Sequence, residues 1–314
     1  MDNLLPVLDV IVVNWNSGGL LAACIKSLAK TNTSNFRFGR IVVVDNGSFD
    51  NSMDLLNELA LGSMPIVKIF NKRNIGFGAA CNLGASGSQA DYFLFLNPDT
   101  EVFESSLNVP IEWMECAVNT GTGIIGIQLL DDSGSVTRTC ARFPGIINYI
   151  NHCFGLNRLM PSLCRVPIME EWCHNESMIV DHVIGAFMMV RAGLFKDLVG
   201  FDERYFVYYE DLDFSYRASQ LGYNSMYLVE AQAYHKCGGT SGQVKAERLF
   251  YSLRSRIFYG YKHFSRINAL MLSFITVVIE PISRCALSLI SARFDDLSHT
   301  IRGYIMLWKY LLRY

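Results

Sequence analysis

Four short runs of branched and aromatic residues, each ending in a polar turn, limit most strongly how this chain can fold. Val10-Ile-Val-Val13 ends in Asn-Trp-Asn-Ser-Gly-Gly, and Ile41-Val-Val-Val44 ends in Asp-Asn-Gly-Ser. Ile66-Val-Lys-Ile-Phe70 ends in Asn-Lys-Arg-Asn, and Tyr92-Phe-Leu-Phe-Leu96 ends in Asn-Pro-Asp. Between the runs lie stretches that read as helix: Leu20 to Leu28, Ser52 to Leu61, and a Gly/Ala-rich segment from about Gly76. Strands alternating with helices predict βαβ units and an α/β fold with a mostly parallel sheet. The unbroken apolar runs suit strands buried on both faces. In such sheets ligands bind beyond the carboxyl ends of the strands, so Asn14, Asp45, Asn74 and Asp99 should converge on one edge. Asn and Asp are ordinary turn residues taken singly. Their fourfold repetition at the same local position carries the reading.

The chain has 314 residues, 51% hydrophobic and 18% charged, which suits a large core and excludes disorder. Charge is uneven. Residues 1–235 carry 15 Lys/Arg against 25 Asp/Glu, whereas residues 236–314 carry 12 against 4. A basic, apolar tail predicts contact with lipid headgroups or phosphates; the plainer alternative is a helical face docked on the acidic part. Nine cysteines stand singly without CxxC spacing, which argues against a zinc or redox motif and fits a reducing cytosol. Asp9 interrupts the first apolar run and no basic region precedes it, so no signal peptide is expected. No uninterrupted apolar stretch reaches the roughly 18 residues of a membrane span.

Further along, residues 131–180 read as an irregular excursion with Pro144, Pro161 and Pro167, placed to shape an acceptor site. Val180 to Val190 reads as a strand containing Gly185, Asp211 to Leu221 as a helix closed by Gly222, and Tyr227-Leu-Val229 as a last short strand. That strand leads to His235, close to Gly238-Gly239. From Lys245 the chain reads as all helical. Ile267 to Ile279 is apolar almost all round and is interrupted by Glu280-Pro281. Leu297, Ile301, Tyr304, Trp308 and Leu311 share one helical face, with Arg302, Lys309 and Arg313 mostly off it, the pattern of an in-plane interfacial helix.

The densest chemistry is Phe206-Val-Tyr-Tyr-Glu210-Asp211-Leu-Asp213. The aromatic run should be buried. Carboxylates beside a buried edge are costly unless paired, hydrogen-bonded or working. A helix N-terminus is the plain account, with Asp213 paired to Arg217 at i,i+4. Asp99, at a strand end, suits a hard cation such as Mg²⁺ or Mn²⁺, and the His235 imidazole suits Mn²⁺ better. Gly76-Phe77-Gly78 matches part of a dinucleotide fingerprint, but Cys81 stands where a third Gly or Ala belongs.

Together these segments resemble an inverting family 2 glycosyltransferase with the GT-A fold, and within it the rhamnosyltransferase-like branch. The resemblance rests on Val12-Val-Asn-Trp-Asn-Ser17, Val44-Asp-Asn-Gly-Ser48, Asn74-Ile-Gly-Phe-Gly78 with Asn82, and Phe95-Leu-Asn-Pro-Asp99. It continues through Gly185-Ala-Phe-Met-Met-Val-Arg191, Gly200-Phe-Asp-Glu-Arg-Tyr-Phe206 and Glu210-Asp-Leu-Asp213, and spans about residues 8–262. A transferase domain over 1–262 and a helical extension over 263–314 are therefore expected. The resemblance implies that Asp211 is the general base, with Glu210, Asp213 and Arg217 in support. It also implies that Asn14, Asn16, Asp45, Asn74, Gly76, Phe77, Gly78, Asn82 and Asn97 serve the nucleotide-sugar donor, and that Asp99 and His235 hold Mg²⁺ or Mn²⁺. The donor implied is dTDP-rhamnose. The implied acceptor is a lipid-linked saccharide at the cytoplasmic face of a membrane, reached peripherally through the C-terminal helices. No nucleic-acid partner is expected, and a homo-oligomer is left open. Where the family usually has Asp-x-Asp, this chain has Asn97-Pro-Asp99, which removes one negative charge from the metal site. Two other readings compete: a non-catalytic scaffold of the same fold, against which the presence of both Asp99 and Asp211 argues, and a nucleotide-dependent oxidoreductase, which rests only on the incomplete glycine pattern.

Overall fold

The structure is a computed structural model that describes residues 5–160, 162–236 and 244–313. Cys237 and the expected Gly238-Gly239 hinge fall outside those residues. The strands are β1 (Val7–Asn14), β2 (Arg37–Asp45), β3 (Ile66–Phe70), β4 (Tyr92–Leu96), β5 (Thr100–Val102), β6 (Thr122–Leu130), β7 (Cys140–Ala141), β8 (Met178–Val180), β9 (His182–Val183), β10 (Phe187–Arg191) and β11 (Asn224–His235). The helices are α1 (Gly19–Leu28), α2 (Ser52–Asn57), α3 (Phe77–Ala85), α4 (Asn108–Glu115), α5 (Ile146–Cys153), α6 (Leu156–Leu159), α7 (Ala192–Asp197), α8 (Glu210–Gln220), α9 (Lys245–His263), α10 (Arg266–Phe274), α11 (Glu280–Ile290) and α12 (Phe294–Leu311).

The chain forms two compact units. One contains residues 1–142, 168–203 and 210–240; the other contains 143–167, 204–209 and 241–314. This division follows contacts rather than a single cut at 262. Helix α9 joins the second unit, as does the middle of the stretch expected to be irregular.

In the first unit the main sheet runs β3-β2-β1-β4-β10-β6-β11-β5, with β8 also paired to β11. Strands β1, β2, β3, β4, β6 and β11 point one way, while β5, β8 and β10 oppose them. The period-2 pattern sorts each strand onto two cores. Val10, Val12, Ile41, Val43, Leu94 and Leu96 pack with Leu21, Ile25 and Ile111. Ile11, Val13, Val42, Val44, Phe93 and Phe95 pack with Cys81, Phe195 and Phe214. Helices α1 and α4 thus cover one face, and α3, α7 and α8 the other. The expected burial on both faces holds for β1 and β4. It fails for β3, an edge strand with Val67, Lys68 and Phe70 exposed.

Several expected boundaries move. Helix α2 stops at Asn57, and Gly62 then turns with φ 58°. The strand expected from Val180 to Val190 breaks into β9 and β10, because the Gly185 N–H turns away from the ladder to Asp211 Oδ2, 2.8 Å off. The last strand is 12 residues long rather than three, with a register shift between Leu228 and Gln232 that takes up its polar residues. Residues 131–180 contain β7, α5, α6 and β8.

The second unit is helical, with Leu253, Ile257, Tyr304 and Leu307 at its centre. Glu280-Pro281 does not interrupt it. Helices α10 and α11 are joined by a π-helical turn, Ile275–Ile279, into one continuous rod from Arg266 to Ile290. A proline lacks the N–H that would close the bond to the carbonyl four residues back, here that of Val277. The Trp308 indole N–H, from α12, donates to that carbonyl at 3.1 Å. Tyr304 is also turned inward, so the face expected on α12 packs partly against the unit itself. Among the described residues, Arg266–Ile290 is the one helix long and apolar enough to cross a membrane by length and composition.

Candidate active site

The carboxyl ends of β1 and β2 are tied by side chains. Asn14 and Asp45 are cross-strand partners. The buried Asn14 amide donates to Asp45 Oδ1 (2.8 Å), Ser48 Oγ (3.1 Å) and Ser52 Oγ (2.8 Å). Asp45 Oδ2 accepts the Ser48 N–H at 3.2 Å. Asn16, in a left-handed conformation with φ 50°, accepts the Phe49 N–H at Oδ1 (2.9 Å), and its own N–H donates to Ser48 Oγ (3.0 Å). Next to them, Asn46 donates to Asn74 Oδ1 (2.9 Å) and to the Gly76 carbonyl (3.1 Å), while Asn74 Oδ1 accepts the Gly76 N–H (2.9 Å). Asn14, Asn16, Asp45, Asn74 and Gly76 therefore do meet on one edge. Phe49 stands 87% exposed on the same loop.

Gly76 enters α3 with φ 96°, and Phe77 opens the helix. Gly78 allows a close approach: a Cβ there would lie 3.1 Å from Phe201 Cβ and 3.5 Å from Glu210 Cβ. Asn82, two turns into α3, is spent elsewhere. Its amide bonds the Phe201 carbonyl (2.9 Å) and Glu203 Oε1 (3.0 Å), and its oxygen accepts the Phe201 N–H (2.9 Å). It clamps the turn before the acidic cluster rather than standing with Asn74.

At the end of β4, Asn97 is half-buried and its N–H donates to the Ala186 carbonyl at 3.0 Å. Asp99 is buried, with Oδ1 3.4 Å from His235 Nε2. Two donors each about 2.1 Å from one cation lie about 3 Å apart when adjacent, and the spacing of this carboxylate and imidazole is compatible with a shared divalent ion. No group of three or more candidate metal ligands occurs among the described residues.

The acidic cluster opens α8, which is seated by aromatic packing. Phe201 lies 4.8 Å from Phe95 and 5.2 Å from Phe214, and Phe195 lies 5.6 Å from Phe214, measured between ring centroids. Such pairs contribute about 0.5–1.5 kcal/mol each beyond area. The preceding run is less buried than expected: Phe206 to Tyr209 are only half-buried, and Tyr208 and Tyr209 have φ of 66° and 73°. The three acids differ sharply. Asp213 is fully buried and pairs with Arg217 Nε at 2.7 Å; that guanidinium also donates to the Leu198 and Gly200 carbonyls. Glu210 is 5% exposed, and its Oε2 has no hydrogen-bond partner among the described residues. Burial first, then the charge of Asp211, push its carboxyl well above the ordinary range. Asp211 keeps a 19% exposed side chain, with Oδ2 accepting the Gly185 N–H (2.8 Å) and Oδ1 the Leu212 N–H (2.8 Å). Of the three, Asp211 is the one both fixed and open.

Sequence reasoning missed three organisers. Asn46 and Ser48 lay within the quoted Asp45-Asn-Gly-Ser motif and could have been found there. His182 gave no sequence signal. It is buried with Nε2 3.8 Å from Asp211 Oδ2.

A parallel β3-β2-β1-β4 half-sheet with a polar edge and an acid-bearing strand end, continued by antiparallel β10, has the GT-A fold. The same fold occurs in the mannosyltransferase PcManGT from Pyrobaculum calidifontis, solved with GDP-Man and Mn²⁺, at TM-score 0.59 and 12% identity over 98% of this chain and 88% of that one. It occurs also in S. aureus TarS 1–349 with UDP-GlcNAc, at TM-score 0.53 and 14% identity over 97% and 91%. Residues 9–125 match Glycosyl transferase family 2, and with its relatives and fold the chain is a nucleotide-sugar-dependent glycosyltransferase. It is similar to the N-acetylglucosaminyl-diphospho-decaprenol L-rhamnosyltransferase of Mycobacterium tuberculosis, 27% identical over 77% of this chain and 80% of that one. It is also similar to the rhamnosyltransferase WbbL of Escherichia coli (strain K12), 30% identical over 46% and 52%.

Proposed function

We propose that the chain transfers L-rhamnose from dTDP-rhamnose to a lipid-linked saccharide, with inversion at the anomeric carbon. The observation that carries this reading is a short hydrogen-bonded path between two acids. Asp211 bonds the Gly185 N–H, the next residue's carbonyl accepts the Asn97 N–H, and Asp99 lies two residues beyond. A base and a diphosphate-side carboxylate are thereby held to the same strand ends.

In this reading Asp45 and the Asn46–Asn74 loop receive the nucleoside, and Gly76 to Gly78 let the backbone approach it. Asp99 and His235 would hold Mg²⁺ or Mn²⁺, which would neutralise the departing diphosphate. Asp211 takes the proton of the acceptor hydroxyl as its oxygen attacks the anomeric carbon opposite the nucleotide. Glu210 and Asp213 with Arg217 hold the start of α8. The two rhamnosyltransferase relatives support the sugar, and the decaprenol-linked substrate in one name supports the acceptor class. The test is nucleoside diphosphate release from a panel of donors, with and without a polyprenyl-diphosphate saccharide. dTDP-rhamnose should turn over at least tenfold faster than UDP- or GDP-sugars, and silence with every acceptor would sink the reading.

In this reading the enzyme works peripherally at the inner face of a membrane, where such an acceptor lies. The support comes from α10–α11 more than from α12. Ile267, Leu270, Phe274, Val278, Ile282 and Leu289 are exposed at helical spacing, while Ala269, Leu272, Thr276 and Glu280 on the other side are buried. Arg266 and Arg293, both exposed, flank the rod at its two ends. Glu280 pairs with Arg256 of α9, so a crossing orientation would have to pull this ion pair apart. An in-plane rod keeps it. Phe274→Glu combined with Ile282→Glu should weaken co-sedimentation with phosphatidylglycerol vesicles on the order of tenfold or more, leaving nucleotide binding intact. Equal vesicle binding by that variant would remove this surface.

A further inference from the structure

The hydrogen bonds around His182 bear on which of its nitrogens carries a proton. Ser215 Oγ donates its single hydrogen to the Asp211 carbonyl, at 2.9 Å. With its hydrogen on that carbonyl, the hydroxyl accepts from His182 Nδ1, which lies 3.2 Å away. In the neutral ring Nδ1 then bears the hydrogen, and Nε2 is left as a lone pair. That lone pair faces Asp211 Oδ2 at 3.8 Å. In that tautomer two acceptors face each other at this distance. Burial holds the imidazole below its ordinary value, against the pull of Asp211 and then Asp181, which keeps it neutral near pH 7.

Resting on the assignment of Asp211 as general base, we propose that His182 is the proton-holding partner of that base. When the acceptor hydroxyl loses its proton, the new bond forms from its oxygen to the anomeric carbon, and the bond from that carbon to the diphosphate oxygen breaks. The proton arrives on Asp211, and the leaving diphosphate takes the electron pair. The protonated Asp211 now has a donor for the waiting Nε2, and transfer to the ring restores the carboxylate while making His182 imidazolium. The proton leaves to solvent before the next turnover, so atoms and charge balance. Closing from 3.8 Å to hydrogen-bond length needs a shift of about 1 Å, and such contacts are often long before substrate binds. The N–H of Gly185 anchors the same Oδ2 on the β9–β10 turn that carries His182, so strand and base move together.

The charges facing this pair are few and named. On α8 they are Glu210, pushed toward its neutral form by burial, and Asp213, neutralised by Arg217. On the strand side there is Asp181, which acts on His182. None competes for Nε2. His182 acts here through Asp211 and is a positioning residue.

The experiment uses the full chain. His182→Gln keeps a neutral polar group near Oδ2 but cannot hold the proton. It should lower kcat about 10- to 100-fold, leave donor KM within about twofold, and move the acidic limb of the kcat–pH profile. Asp211→Asn, run in parallel, tests the base itself: if it transfers at the wild-type rate, the underlying assignment falls. If Asp211→Asn is dead while His182→Gln keeps the wild-type kcat and pH profile, the base stands and His182 has no part in it. A third measurement needs no variant. In ¹⁵N-histidine-labelled wild-type protein, His182 should show an unprotonated Nε2 at neutral pH, and a protonated Nε2 in the resting enzyme overturns the proposal.

Discussion

Asp211→Asn should reduce sugar transfer by about 10²- to 10⁴-fold, the usual range for loss of a positioned general base, with nucleotide binding by calorimetry within about twofold. The substitution is nearly isosteric, yet it disturbs more than basicity. Both carboxylate oxygens now accept main-chain N–H groups, from Gly185 and from Leu212. An asparagine offers one oxygen, so one N–H would face an NH₂ group and lose its bond, at about 1–3 kcal/mol for a buried donor. The melting temperature therefore belongs beside the rate. A large rate loss with a small thermal shift identifies the base, and an unchanged rate removes Asp211 from the chemistry.

Glu280→Ala should be the most damaging change outside the catalytic unit. Glu280 is almost fully buried, with Oε1 accepting from Arg284 Nε at 2.8 Å and Oε2 from Arg256 Nη1. Arg256 is itself buried, its guanidinium 5.3 Å from the centre of the Tyr149 ring. Removing the acid strands that charge, and breaking a buried pair in this way costs about 3–5 kcal/mol. At about 4–8 °C per kcal/mol for a unit of this size, the helical unit should melt roughly 12–40 °C lower. Replacing both partners, Arg256→Met with Glu280→Leu, should recover most of the loss, because the pair is a greater liability when halved than when absent. The sign with pH follows. Burial alone would raise the Glu280 carboxyl, but Arg256 and then Arg284 hold it below its ordinary value. Its stabilising contribution is therefore complete above the ordinary carboxylate pKa of about 4.3. It is lost as pH falls through the lowered folded value. Thermal melts followed from pH 7 to pH 3 should show the wild type losing stability at the acid end and the double variant losing less.

The parallel half of the sheet was legible because its signal is local. Each of β1, β2 and β4 ends in a turn whose residue types cannot continue a strand, and the unbroken apolar run in each was sufficient to predict burial on both faces. The Asp213–Arg217 pair was legible for the same reason, being one helical turn apart. What escaped was set by distant partners. Strand β11 runs to 12 residues because β6, β5 and β8 all pair with it, which excuses its polar residues from the strand pattern. Asn82 looked like a neighbour of Asn74, but the 201–203 turn claims its amide. His182 could not be read at all, since its meaning lies wholly in what α8 brings to it. Tyr304 looked like a surface residue on an amphipathic face until Phe250 and Leu253 of α9 supplied another apolar wall.

The tie between Pro281 and Trp308 has a consequence for how this helix can change over time. A proline here leaves the Val277 carbonyl without its usual donor, and an indole on another helix supplies one. Lose the tryptophan alone and the carbonyl is orphaned; lose the proline alone and the indole has a rival for its acceptor. The two positions therefore form one inherited choice rather than two, and lineages of this chain should gain or give up both together, by a path on which the proline goes first.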